Sequence, residues 1–319
     1  MSKRIGAVLA VAALVGGLWS TPARAYDLPS VNLGFTSFLD GGPPAGPGYY
    51  FTQYVQYYTS SQLNDADGNE LGLPDPKVTA IVGLTQFIYQ SARPVLLGGK
   101  WGIDLIVPEV SLSADYGAPG PFPTDNGAGL GDVLVGPYLQ WDPIMGANGP
   151  RFMQRVEFQV ILPTGKYDAG KALNPGAGFL SLNPYWAGTC FVNPRTTASL
   201  RLHFLWNAKN TDPSTDPTLG AADDSQAGAA VHANFAAAYE VRPHRLRVGI
   251  NGYWLKQISD TKADGSDVPD RRESVLAIGP GMVYHRSQEQ HLFVNLFTEL
   301  SAENRTKGSK LLVRYVQHF

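Results

Sequence analysis

From Tyr49 onward, hydrophobic and polar residues alternate in segments of about ten to fifteen residues. Side chains along a strand point to opposite faces with period two, so each such segment is a ribbon with one oily and one polar side. In the segment Arg151 to Leu162, Phe152, Val156, Phe158, Val160 and Leu162 oppose Arg155, Glu157 and Gln159. Between Arg195 and Asn207, Leu200, Leu202, Phe204 and Trp206 oppose Ser199, Arg201, His203 and Asn207. Leu246, Val248, Ile250 and Trp254 stand against Arg245, Arg247, Asn251 and Tyr253, and Leu292, Val294, Leu296 and Leu300 against Asn295 and Glu299. Phe293 and Phe297 share the polar side of that last segment.

The pattern predicts twelve strands. They are Tyr49 to Ser61, Lys77 to Gln90, Lys100 to Ser111, Gly129 to Trp141, Arg151 to Leu162, Phe179 to Val192, Arg195 to Asn207, Gln226 to Glu240, Arg245 to Ile258, Arg272 to Tyr284, His291 to Ser301 and Lys310 to Phe319. The second and third alternate poorly, and Pro108 interrupts the third, where a bulge is expected. Long hydrophilic connections alternate with short turns. An even strand number with loops sorted by length is the arrangement of an all-β, antiparallel transmembrane barrel, in which the oily faces meet lipid and the charges line a lumen. Trp101, Trp141, Trp186, Trp206, Trp254 and Tyr284, near strand ends, suit interfacial girdles. Phe319 ends the chain on the apolar parity, with Tyr315, Val313 and Leu311, as the closing strand of an outer-membrane protein does; Lys310, Arg314 and His318 take the other parity.

The first 25 residues change the picture from a sheet to an exported sheet. Lys3 and Arg4 precede an apolar run from Ile5 to Trp19, and Pro22-Ala23-Arg24-Ala25 supplies a small-residue cleavage site, so a signal peptide cut after Ala25 is expected. Tyr26 to Gly48 is rich in Pro and Gly and reads as an irregular arm, with residues 49–319 forming the barrel and both termini periplasmic. Removing Lys3, Arg4 and Arg24 leaves 22 basic against 27 acidic residues, a net charge of −5 that argues against a nucleic-acid partner. With one Cys, Cys190, no intramolecular disulfide is possible.

Three stretches carry a resemblance. Gly129-Leu130-Gly131-Asp132-Val133-Leu134-Val135-Gly136-Pro137-Tyr138, then Leu162-Pro163-Thr164-Gly165-Lys166-Tyr167-Asp168, then Asn183-Pro184-Tyr185, resemble the family labelled "putative MetA pathway of phenol degradation". The resemblance covers most of the mature chain. It implies a barrel in the outer membrane of a Gram-negative bacterium that passes phenol-like or other small hydrophobic solutes, and it brings no set of catalytic or binding residues.

Other chemistry finds little support. Gly127-Ala128-Gly129-Leu130-Gly131 is not followed by a helical pattern, and Gly165-Lys166 lacks the remainder of a phosphate loop. Asp65, Asp67, Asn69 and Glu70 could hold a divalent cation but lack the EF-hand register, and the six His have no metal-ligand spacing. Ser199 and His203 share a face four residues apart, roughly 13 Å, too far for a nucleophile and its base.

The sequence therefore predicts no enzyme, no cofactor and no metal. Candidate pore-lining residues are Arg155, Glu157, Arg201, His203, Arg245, Arg247, Tyr138, Tyr253, Glu299 and Arg314. Their charges either pair to fill a narrow interior or form a constriction in which Arg favours anionic or phenolate groups. Expected partners are outer-membrane lipids, the barrel assembly machinery through Phe319 and the last strand, and a small hydrophobic or aromatic solute. The alternatives are an outer-membrane enzyme acting on lipids and a non-conducting structural or adhesion barrel, its lumen plugged by the arm.

Overall fold

The computed structural model describes residues 27–42, 46–117, 122–147, 149–214 and 222–319. The signal peptide expected over Met1–Ala25 lies outside them. Twelve antiparallel strands form a closed barrel: β1 (Gly48–Leu63), β2 (Lys77–Leu96), β3 (Gly99–Asp115), β4 (Ala128–Leu130 and Val133–Gln140), β5 (Gly149–Glu157 and Val160–Leu162), β6 (Ser181–Leu182 and Tyr185–Asn193), β7 (Thr196–Asn207), β8 (Ala230–Arg242), β9 (Leu246–Gln257), β10 (Ser274–His285), β11 (Gln290–Glu303) and β12 (Thr306–His318). Closure comes from β12 pairing with β1, in register from Tyr50 opposite His318 to Ser60 opposite Gly308. No open edge remains, which is the condition for a sheet to stand in hydrocarbon.

The faces divide by parity. Along β7, Leu200, Leu202, Phe204 and Trp206 are each more than 40 % exposed, while Ser199, Arg201, His203 and Asn207 are buried. Val55, Ile81, Phe87, Phe158, Ile250, Leu296 and Leu300 extend this apolar exterior around the barrel. An exposed belt of this extent is untenable in water and suits acyl chains. Its aromatic margin is visible at the short-turn rim, where Tyr49 stacks near Tyr89 at 5.0 Å and Tyr89 near Trp101 at 5.2 Å. Cys190 is exposed on this outer side.

Prolines explain where the ladder lapses. β3 runs unbroken through Pro108, which pairs with Leu84 of β2, so the bulge expected on β3 falls instead on its neighbour. Ile106 faces Leu134 and Glu109 faces Leu130, leaving one extra residue on β4 at Gly131–Val133. Pro108 has no N–H to give β4, and only its carbonyl is used, accepting from Gly131 N at 2.9 Å. Pro137 and Pro184 likewise give no N–H beside the breaks in β5 and β6, although their carbonyls accept from Phe158 N and Phe204 N, each at 3.0 Å.

The bulge is tied to the β5–β6 loop. Asp132 accepts from Gly165 N at 2.9 Å and Ala177 N at 2.7 Å, and Lys166 Nζ donates to Asn126 O at 2.6 Å. Gly165 lies so close to its neighbours that a Cβ would stand 2.7 Å from the Gly131 carbonyl carbon and 2.8 Å from Gly176 Cα. The Gly-Asp and Thr-Gly-Lys stretches thus serve a backbone crossing at the loop rim. Asp65 has a comparable local duty, its carboxylate accepting from Asp67 N and Asn69 N. On the opposite rim β2 and β3 are joined by Leu97-Gly98, both with positive φ (50° and 76°), the tight turn that matches strand twist.

The arm lies where the plugged-barrel alternative puts it. Residues 27–42 pass through the barrel interior, with Leu33 and Phe38 buried. Asp27 lies at the long-loop rim, where Arg271 and Thr261 bond its carboxylate, and Pro47 lies at the short-turn rim against His318 Nε2 at 2.9 Å. Residues 27–42 therefore run from the long-loop rim toward the short-turn rim. The chain threads the lumen before its first strand.

Candidate functional site in the barrel lumen

The inner wall has two halves. On β4 to β8 the inward positions include a stacked chain of polar side chains, beside a small apolar cluster of Ile161, Leu205 and Ala230. Arg155 donates to Gln140 Oε1 at 3.0 Å, lies 4.0 Å over the Tyr138 ring and is 4.0 Å from Glu157. Tyr185 donates to the same oxygen of that acid, 2.5 Å from Glu157 Oε2, and carries Arg201 4.0 Å above its own ring. His203 stacks on His232 at 4.1 Å, and His232 Nε2 meets Asn183 Oδ1 at 3.0 Å. The Asn-Pro-Tyr stretch thus supplies two polar members of the wall.

The arm docks on this half. Arg201 grips Asp40 with two N–H groups, at 2.8 and 2.6 Å. Irregular backbone inside a barrel must find partners for its own N–H and C=O groups, and the wall provides them. Gly34 N donates to Asn234 Oδ1 at 2.8 Å and Leu39 N to Ser199 Oγ at 3.1 Å. Thr189 donates to Asp40 O at 2.5 Å, Gln140 to Gly41 O at 2.8 Å and Lys310 to Leu33 O at 2.7 Å. Gly41 has φ +86°, and a Cβ there would meet Ala187 O at 2.6 Å, so the chain turns where only glycine fits. At the loop rim Glu273 accepts from Asp27 N and Leu28 N.

The other half is mostly apolar, with Gln86 and Asp104 as buried polar members. Val82, Leu84 and Ile88 of β2, Ile106, Val110 and Leu112 of β3, and Leu134 of β4 face inward, and with the arm they bound a cavity of about 760 Å³. This is why β2 and β3 alternate poorly in sequence: their lumen side is oily as well. The lining of the cavity runs from Asp27 and Glu273 at one rim to His244 and Ser287 at the other.

Eight of the ten candidates point inward and are buried: Tyr138, Arg155, Glu157, Arg201, His203, Arg247, Tyr253 and Glu299. Glu299 accepts from Tyr253 at 2.8 Å, Tyr58 at 2.9 Å and Gly308 N at 2.6 Å, and Arg247 pairs with Glu240 at 3.1 Å near the turn rim. Arg314 also faces in, its Cζ 3.6 Å from the Phe293 ring centroid. Arg245 is a correction. β9 begins only at Leu246, so parity does not govern Arg245, and its side chain stands exposed in the turn, bonded to Arg286 O at 2.7 Å. Ser199 Oγ is engaged by Leu39 N and Thr189. The spacing reading missed Asp40, because an irregular arm offers no periodicity. It also left out Lys310, whose parity matched Arg314 and whose ammonium lies 4.3 Å from the Tyr253 ring centroid.

A closed antiparallel barrel with an apolar exterior and a polar, charge-bearing interior defines a class: this is a bacterial outer-membrane β-barrel. Within that class the chain belongs to the family described as "Putative MetA-pathway of phenol degradation", whose profile matches residues 60–315. Its fold is similar to that of the COG4313 outer membrane channel from Pseudomonas putida F1, with a TM-score of 0.73 at 20 % identity, covering 91 % of this chain and 100 % of that one. More distant are the NanC porin (TM-score 0.43, 9 % identity, 84 % of this chain and 99 % of that one) and a TodX monoaromatic hydrocarbon channel variant (0.45, 10 %, 86 % and 91 %). No curated protein matches the chain.

Proposed function

We propose that this barrel lets small hydrophobic or aromatic solutes cross the outer membrane by diffusion, without ATP, cofactor or chemical turnover. The observation that carries the proposal is the cavity between the arm and the apolar β2–β4 wall, lined from one rim to the other. An oily half-wall offers a neutral aromatic a surface on which to leave water, at roughly 25 cal/mol per Å² of apolar area covered. The polar half-wall holds the arm, and the arm sets the width of the path. The family description, which names phenol degradation, and the channel named in the related structure from Pseudomonas putida F1 both support this reading.

The apolar exterior meets outer-membrane acyl chains, and β12 with the exposed ring of Phe319 engages the barrel assembly machinery. The charges at Arg155, Glu157, Arg201 and Arg247 act chiefly as paired fillers and arm anchors. Uptake of phenol by proteoliposomes holding the full chain tests the proposal. Uptake above that of protein-free vesicles is expected, and a correctly inserted barrel that passes neither ions nor phenol would refute it. The dense anchoring of residues 27–42 favours a second reading, a non-conducting barrel. On that reading conduction appears only when the arm is deleted.

A further inference from the structure

Among the described residues, six inward-facing cations other than Arg314 are matched. Arg155 has Glu157, Arg201 has Asp40, Arg247 has Glu240, Arg271 has Asp27 and Arg305 has Glu273. Lys310 is held by Leu33 O and the Tyr253 ring. Arg314 differs: among the described residues it forms no ion pair, and its Nε is buried without a hydrogen-bond partner. Its guanidinium face lies on Phe293 at 3.6 Å, and Tyr54 approaches at 5.9 Å. Stacking uses the face of a guanidinium and leaves its in-plane N–H groups for an acceptor, and a carboxylate matches that fork. Arg314, Phe293, Leu84, Ile88 and Ile106 all line the same cavity.

We propose that Arg314 is the anchor for the head group of an amphipathic monocarboxylate whose apolar body lies against the β2–β3 wall. This rests on the channel reading and narrows its solute class to organic acids with one oily end. A neutral solute uses the wall alone; an acid uses the wall and Arg314. The cavity's spare acid, Asp104, has an unpartnered Oδ1 and is joined by Gln86 to Tyr54, through bonds of 2.6 and 2.7 Å. Through Gln86 and Tyr54 it is linked to the proposed head-group contact.

The test is calorimetric titration of the purified full-length barrel with hexanoate and with 1-hexanol at pH 8, where the two differ in the charged head. Hexanoate is expected to bind at least about tenfold tighter than hexanol in the wild type. Arg314→Gln is expected to remove that preference and leave hexanol affinity within about twofold, while Arg314→Lys keeps part of it. Equal affinities in the wild type would overturn the inference without any variant, and a preference that survives Arg314→Gln would overturn it as well. Hexanol binding with phenol uptake but no preference for the acid defeats this inference and leaves the channel standing. Absence of binding by both probes together with absence of phenol uptake defeats the channel reading itself.

Discussion

Replacing Asp40 by Asn probes the arm at its strongest single contact. Asp40 and Arg201 are buried, with side chains 7 % and 10 % exposed, and the pair is bidentate. Removing the negative partner leaves Arg201 charged beside Tyr185 with one N–H facing a neutral amide. Breaking one side of a buried ion pair costs roughly 3–5 kcal/mol. Asn retains one acceptor, so the low end, about 3 kcal/mol, is the appropriate figure. At 1.4 kcal/mol per factor of ten, the ratio of docked to undocked arm falls about 100-fold. Single-channel recording in planar bilayers reads this directly: the variant should show a wider, longer-lived conducting level than the wild type, and its arm should be cut faster by added protease. Arg201→Gln should act in the same direction, and the double variant should add less than the sum, because both changes remove one interaction. A conductance histogram and protease protection indistinguishable from wild type would refute the assignment of the arm as the element that sets the path.

Further expectations follow from the two walls and the rim. Leu202→Arg, on the lipid face near the middle of β7, should destabilise the inserted barrel by about 2–4 kcal/mol, read by denaturant unfolding from vesicles. Ile106→Asn, on the apolar inner wall, should slow phenol uptake several-fold while leaving ion conductance near wild type; equal loss of both would point to a collapsed barrel. Asp132→Ala removes the acceptor for two backbone N–H groups and should cost about 2 kcal/mol, seen as faster proteolysis of the β5–β6 loop in an otherwise intact barrel.

The strands were legible because a barrel repeats one simple rule, and that rule also assigned Arg155, Arg201 and Glu157 to the interior. It failed where the rule has no hold. Arg245 precedes the first residue of its strand, so its parity meant nothing. Pro108 signalled a disturbance, yet the bulge fell on Gly131–Val133, because the strand that loses a donor need not be the strand that bends. Residues 27–42 carried no periodicity, and their route through the lumen depends on partners more than a hundred residues away, such as Arg201 and Asn234. The poor alternation of β2 and β3 was read as irregularity. It reflects an inner face that is itself largely apolar, since two apolar faces on one strand are what a lipid-embedded wall with an oily lumen requires.

The odd and even positions of each strand meet different solvents. Spin labels placed singly at positions 199 to 206 of β7, in a Cys190→Ala background reconstituted in lipid, test this through their accessibility to oxygen and to a water-soluble nickel chelate. Positions 200, 202, 204 and 206 should be accessible to oxygen and shielded from the chelate, with a period of two against 199, 201, 203 and 205. The opposite phase, with position 201 in lipid and position 202 shielded from it, would contradict the account.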